Sequence, residues 1–375
     1  MHLLSIQRLL GMMLMLFSAT LLPPAAVSWF YDDGQFLIFL DGMLAVLVLG
    51  CLMWFPARRF REELRVRDGF LIVVLFWLVL GLAGAVPFTM SITPEMSVTD
   101  AVFESFSGLT TTGATVITGL DELPKSILFY RQQLQWLGGM GIIVLAVAIM
   151  PMLGVGGMQL YRAETPGPLK DTKLTPRITE TAKALWYIYL TLTVVCAASY
   201  WQAGMSGFDA IAHSFSTIAI GGFSTHDESI GYFQSTSIEM IAVVFMLLAG
   251  MNFALHFVAW RSLSLKAYFR DSELKTYLVV LSLVTAITVT YLYYTDTFIF
   301  YDEALYAGLV QAVSIGTTTG CTTADDFDWP GFLPVMLLFV SFIGGCTGST
   351  GGGMKVIRFL LLLKQGHRET MRLIR

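Results

Sequence analysis

Eight apolar runs, near residues 4–30, 36–55, 69–89, 127–150, 184–204, 235–260, 275–295 and 331–363, divide the chain. Each approaches or exceeds the roughly 20 residues with which a helix crosses a hydrocarbon core. In lipid every backbone N–H and C=O needs an internal partner, so the runs are expected to be helical. The rest of the chain cannot offset them. Of 375 residues, 55% are hydrophobic and 13% charged, too little charge to cover a soluble domain of this length. The fold class expected is an all-α polytopic membrane protein. The first run has a basic residue, an apolar core and small residues, as secretory signals do. Its core is long and a second run follows at once, which favours a retained transmembrane helix.

Basic residues sort the connections. Arg58, Arg59, Arg61, Arg65 and Arg67 share one; Arg162, Lys170, Lys173, Arg177 and Lys183 another; Arg261, Lys266, Arg270 and Lys275 a third. Lys364, Arg368, Arg372 and Arg375 follow the last run. The intervening segments carry Asp32 and Asp33, Glu95 and Asp100, Asp121 and Glu122, Asp227 and Glu228, Asp302 and Glu303, and Asp325, Asp326 and Asp328. The positive-inside rule puts the basic group and both termini in the cytoplasm. With a net charge of −4, no nucleic-acid partner is expected.

Three of the acidic segments, near 90–126, 205–234 and 300–330, are longer than a turn requires. Each holds an apolar stretch of about ten residues, too short to span the membrane but suited to a re-entrant half-helix. In register they read "ESFSGLTTTGAT", "HSFSTIAIGGFS" and "QAVSIGTTTGCT", aligning Ser107, Ser216 and Ser314 and, further on, Gly113, Gly222 and Gly320. Asp100–Ala101 and Asp209–Ala210 share an upstream offset, whereas the third copy has Ala307 there and Asp302 displaced. The unit is a crossing, a half-helix, a polar strand and a return crossing. Successive units are therefore parallel, which suits pore domains around an axis along the membrane normal and argues against inverted-repeat transporters.

A strand whose carbonyls face such an axis can replace the hydration shell of a cation. Glycine permits the positive φ that aims successive carbonyls one way, and the negative end of each half-helix favours a cation at mid-membrane. Threonine hydroxyls can add oxygens, although the second copy, "AIGGF", lacks them. Together with "FIGGCTGSTGGGMKVIR" (342–358), the stretches "SGLTTTGAT", "STIAIGGFST" and "SIGTTTGCTT" resemble the Trk/Ktr/HKT superfamily of potassium transporters, most closely its bacterial TrkH-type membrane subunits. The resemblance implies potassium uptake through a filter centred on Gly113, Gly222 and Gly320 and lined by Thr111, Thr112, Ile220, Gly221, Thr318 and Thr319. It implies a helix pair at 1–60 and pore repeats at 61–165, 166–266 and 267–375. These would be three of four repeats around a pseudo-fourfold pore, so the chain is expected to be truncated or completed by another polypeptide. It further implies a bacterial inner-membrane location, a homodimer, and a cytoplasmic TrkA-type regulatory subunit that would carry any nucleotide. Potassium is then the transported ion and no covalent cofactor is expected. An ion-coupled secondary transporter and a non-conducting remnant or assembly partner are the alternatives; channel and symport are both compatible with such filters.

The last run is interrupted by "GGCTGSTGGGMK" (344–355). Each glycine costs a helix interior about 1 kcal/mol relative to alanine, so the helix must break. The spacing of Gly348 and Gly353 imitates a P-loop, but Met354 stands at the lysine position. The family implies a gating loop at 344–353 under the filter, with Gly348, Ser349, Thr350, Gly351, Gly352 and Gly353 as its flexible part and Lys355 placing a positive charge near the cation path. Cys51, Cys196, Cys321 and Cys346 lack metal-ligand spacing and read as buried small apolar residues, and five scattered histidines argue against a metal cage. Arg131 is a candidate either to pair with Glu104 or Asp121 or to snorkel at the membrane interface, and "GGMG" (138–141) to permit close helix packing. Nothing suggests an enzyme.

Overall fold

The computed structural model describes residues 3–60, 66–141, 178–323 and 329–374, and among these all regular structure is helical. The inner part of the 127–150 run, most of the basic 160–183 connection, Arg61, Arg65 and the acidic group at 325–328 lie outside the described residues. Contacts divide the chain into two compact units. One holds the described residues up to Gly141, the start of the 178–202 helix and Phe223–Asp227; the other holds Tyr187–Gly222 and the described residues from Glu228 onward.

In the first unit α1 (Leu3–Ala19) and α2 (Leu22–Tyr31) together make the first apolar run, and Pro23 and Pro24 start α2, where a missing N–H costs nothing. α3 (Phe36–Ala57) packs on α1 through two glycines. A Cβ on Gly11 would stand 2.8 Å from the Gly50 carbonyl oxygen, and one on Gly50 2.9 Å from that of Gly11. Helices in lipid gain their attraction from such close approach. α4 (Val66–Gly84) runs into the single turn α5 (Val86–Met90), then α6 (Val98–Leu109) and α7 (Lys125–Gly139). Leu14, Phe39, Ile72, Phe88 and Tyr130 form the core between them.

Asp33, between α2 and α3, accepts hydrogen bonds from the Ser28 hydroxyl, from Gln35 N–H at 3.2 Å and from Ser126 N–H at 2.8 Å, the last at the start of α7. Burial pushes its carboxyl up, but these donors outweigh it and hold the group below the usual carboxylate range.

The second unit is built from α8 (Ile178–Gln202, which begins in the first), α9 (Gly207–Ala219), α10 (Thr236–Gly250), α11 (Phe253–Ser262), α12 (Lys266–Arg270) and α13 (Ser272–Tyr294). It ends with α14 (Tyr301–Thr317), α15 (Leu333–Ser341) and α16 (Val356–Ile374).

Two expectations need correction. The 235–260 run is not one straight span, because α10 and α11 meet at a 93° bend. Asn252 makes the break by accepting a hydrogen bond from Ala254 N–H at 2.8 Å, a side-chain cap that starts a new helix. Cysteine burial holds for Cys196, Cys321 and Cys346, but Cys51 is exposed on the flank of α3.

Candidate functional site

The aligned serines begin the same backbone turn in all three copies. Four residues after each lies a residue with positive φ: Thr111 at 55°, Ile220 at 55° and Thr318 at 70°. The next N–H returns to the serine carbonyl, Thr112 to Ser107 at 2.9 Å, Gly221 to Ser216 at 2.9 Å and Thr319 to Ser314 at 2.8 Å. The glycine after that is again left-handed, Gly113 at 80°, Gly222 at 78° and Gly320 at 84°. The helix C-termini thus close with a Schellman-like bond, but with a β-branched residue in the slot glycine normally fills. Such residues rarely adopt positive φ, and backbone strain of this kind concentrates at functional sites.

The helices before the first two turns start alike, at the shared Asp100 and Asp209. Ser97 accepts from Asp100 N–H at 3.2 Å and Ser206 from Asp209 N–H at 3.1 Å, two N-caps that start α6 and α9. α14 has Phe300 in that position with no side-chain cap, and runs to 17 residues against 12 in α6 and 13 in α9. The departure of the third copy at Ala307 is thus a lengthened helix with an intact turn at its end.

The hydroxyls of Thr112 and Thr319 bond to those of Thr110 and Thr317, at 2.8 and 2.7 Å, and the latter two donate to Phe106 and Val313 carbonyls one helical turn back. Ala219 and Gly221 stand at the matching positions of the second copy. A row of oxygen ligands shared by all copies would therefore come from the backbone. Within the second unit the second and third turns touch: a Cβ on Gly222 would stand 2.1 Å from the Thr319 carbonyl oxygen. Gly320 faces open space. His213, on α9, directs Nδ1 to the Asp209 carbonyl at 3.0 Å and meets the Phe233 ring edge-on, which is a packing role.

Residues 344–353 form a closed loop between α15 and α16. At its base Met354 N–H donates to Phe342 O at 2.8 Å, Lys355 N–H to Ile343 O at 3.0 Å and Val356 N–H to Gly345 O at 3.2 Å. Its glycines serve close approach: a Cβ on Gly344 would lie 2.2 Å from Gly352 O. Gly348 O accepts from Phe253 N–H at 3.1 Å and Cys346 N–H donates to Gly250 O at 2.8 Å, so the loop occupies the bend between α10 and α11. Thr350 Oγ1 donates to Ile218 O at 2.9 Å, and Gly352 N–H donates to Thr318 Oγ1 at 2.8 Å. The loop thus touches the helix end before Gly222 and the turn before Gly320. Ser349 closes on Cys346 O at 2.6 Å, and Lys355 Nζ donates to Gly351 O inside the loop.

Several residues that matter here were not singled out from the sequence. Glu273, buried at the start of α13, accepts from Thr347 N–H at 2.7 Å and Ile357 N–H at 3.1 Å, joining the loop to the N-terminus of α16. Asn252 makes the bend that receives the loop. Gln132 and Gln135 on α7 hold Phe223, as described below. Their signal was the polar string "RQQLQ" inside an apolar run. Arg131 pairs with Glu104 and not with Asp121, which bonds His226 instead. A Cβ on Gly138 would stand 1.9 Å from Leu109 O, the close packing expected of "GGMG".

Among the described residues five helices are long and apolar enough to cross a membrane, which with the thrice-used helix–turn–glycine unit defines a polytopic membrane protein. Residues 35–375 match the family described as TrkH, cation transport protein, and the chain belongs to that family. It is 60% identical to the Trk system potassium uptake protein TrkH of Vibrio parahaemolyticus, across 99% of this chain and 77% of that protein. The Escherichia coli K12 protein of the same name is 55% identical, over 100% of this chain and 77% of its own length. The crystal structure of the potassium transporter TrkH from Vibrio parahaemolyticus matches with a TM-score of 0.90 at 56% identity, covering 100% of this chain and 77% of that one.

Proposed function

We infer that the chain carries potassium into the cell as a membrane transporter of the Trk type, and that it is not an enzyme. One observation carries the reading: three copies of a strained turn, ending in left-handed Gly113, Gly222 and Gly320, in a chain of the TrkH family. We assign the potassium ligands to the backbone carbonyls of Thr111–Gly113, Ile220–Gly222 and Thr318–Gly320, at the negative ends of α6, α9 and α14. The paired threonine hydroxyls favour carbonyls over side chains as ligands. Residues 344–353 act as a gate that must leave Ile218 and Thr318 for ions to pass. The setting is the bacterial inner membrane with both termini cytoplasmic, as a homodimer under a TrkA-type subunit that carries any nucleotide.

The test is rubidium uptake and growth at low potassium in a bacterial host lacking its own potassium uptake systems. The chain is expected to restore both, and Gly222→Ser to abolish them, because the added atoms would meet the Thr319 carbonyl. Uptake equal to that of an empty vector, with the protein present in the membrane, overturns the reading.

A further inference from the structure

One face of α7 holds the segments that follow two of the glycine turns, and it does so with buried charge. Arg131 and Glu104 are both fully buried, with Arg131 Nε donating to Glu104 Oε1 at 2.7 Å. Arg131 Nη2 donates to Thr115 Oγ1 at 3.0 Å, and Nη1 to the Ser224 carbonyl at 3.1 Å. Thr115 and Ser224 occupy the same place in their repeats, eight residues after Ser107 and Ser216. One guanidinium therefore bridges equivalent points of two copies. Its plane also lies over the Phe223 ring, 4.3 Å from the centroid. Glu104 completes the arrangement by accepting from the Thr115 hydroxyl at 3.0 Å and from Val116 N–H at 3.2 Å.

The neighbouring glutamines hold two successive peptide planes, Gln135 the one between Gly222 and Phe223 and Gln132 the one between Phe223 and Ser224. Gln135 Oε1 accepts from Phe223 N–H at 3.1 Å, and Gln132 Nε2 donates to Phe223 O at 2.9 Å. Phe223 N–H shares its planar peptide with the Gly222 carbonyl, which in a trans bond points the opposite way. Holding that N–H against α7 turns the Gly222 carbonyl away from α7. Gly222 is free to rotate in a way that other residues are not, so its carbonyl direction depends on an external hold.

We propose that Arg131, Glu104, Gln132 and Gln135 form a clamp that sets the carbonyl direction after Gly222 and couples it to the segment after Gly113, making Arg131 and Gln135 positioning residues for ion selection. This rests on the potassium reading above. The chemistry is suited to the task. Arginine offers a planar fork that reaches two segments at once, which the single ammonium of lysine cannot reproduce. Its burial with Glu104 makes release costly, so the geometry is held between transport events.

The full chain and its R131Q, R131K, Q135L and T115V variants are purified in detergent, and Tm is recorded in potassium and in sodium at equal ionic strength. A ligand that binds the folded state raises Tm, so the potassium-minus-sodium difference reports ion preference, which a purely structural role would not move. The wild type is expected to have a higher Tm in potassium. R131Q and Q135L are expected to lose at least half of that difference, T115V a smaller part, and R131K to retain more than R131Q. In the uptake host, the potassium-to-sodium ratio of R131Q is expected to fall about tenfold. If R131Q does not fold, Q135L, which removes no charge, carries the test. Variants that keep the full wild-type difference overturn the clamp while leaving the potassium reading intact. A wild type that shows neither uptake nor a potassium-specific Tm overturns both.

Discussion

The segments after the first and third glycine turns are held in opposite ways. Thr115 and Val116 are fixed by Glu104 and Arg131, a fully buried ion pair. Thr322, at the same place in the third copy, is fixed by neutral groups: its N–H donates to Ser229 Oγ at 3.2 Å, and its carbonyl accepts from Gly231 N–H at 3.2 Å. The same turn is therefore compatible with two kinds of support that differ in how they fail. Losing one member of a buried ion pair leaves an uncompensated charge, at a cost of about 3–5 kcal/mol, whereas losing a neutral hydrogen bond costs about 1 kcal/mol.

The largest expected effect breaks the charged support. Arg131→Leu should destabilise the purified protein by about 3–5 kcal/mol, because Glu104 is left buried without its partner. Arg131→Leu with Glu104→Leu should recover much of that loss, since replacing both charges with apolar side chains can be close to neutral. Thermal unfolding of the four proteins in one detergent measures the coupling. An additive double variant would mean that the pair is not what holds the segment.

The loop at 344–353 lies between these extremes. Its tip meets neighbours through single backbone and hydroxyl bonds, such as Thr350 to Ile218 and Gly352 to Thr318. Its base depends on one charged group, Glu273, which accepts from Thr347 and Ile357. A carboxylate at the N-terminus of α16 is also favoured by the helix dipole. Glu273→Gln keeps the shape but weakens both bonds, and hydrogen bonds to charged groups are worth about 1.5–3 kcal/mol. The expected result is a loop that leaves its seat more often, seen as faster cysteine labelling of buried Cys346 and raised basal rubidium uptake. Unchanged labelling would show that the glycine backbone alone fixes the seat.

How much of this was legible in the sequence follows the same division. Apolar runs were legible because bilayer physics acts on composition, and five of the eight coincide with helices among the described residues that are long and apolar enough to cross a membrane. The repeat was readable because Ser107, Ser216 and Ser314 and the matching glycines serve local backbone geometry, closed by bonds within six residues. The shared offset of Asp100 and Asp209 and its loss at Ala307 were legible too, whereas their part in the Ser97 and Ser206 caps was not singled out. Glu273 and Asn252 were not, since their partners lie in other elements: Thr347 is 74 positions from Glu273. The straight 235–260 span failed on one capping side chain, Asn252, which hydropathy does not weigh. Arg131 was visible as an oddity, but the choice of Glu104 over Asp121 required the fold.

The smallest effect tests the neutral support. Ser229→Ala removes the oxygen that accepts from Thr322 N–H and leaves the Gly231 bond to the Thr322 carbonyl in place. The loss should be about 1 kcal/mol, the net worth of one ordinary hydrogen bond. Ser229 itself has φ of 55°, which alanine tolerates no better, so the backbone there gains nothing in return. If support after the third turn is only structural, the potassium-minus-sodium Tm difference should stay at its wild-type value while both midpoints fall together. A change in ion preference as large as that of Q135L would mean that the third copy is tuned as tightly as the second. The asymmetry between charged and neutral supports would then reflect local packing and not a division of labour among the repeats.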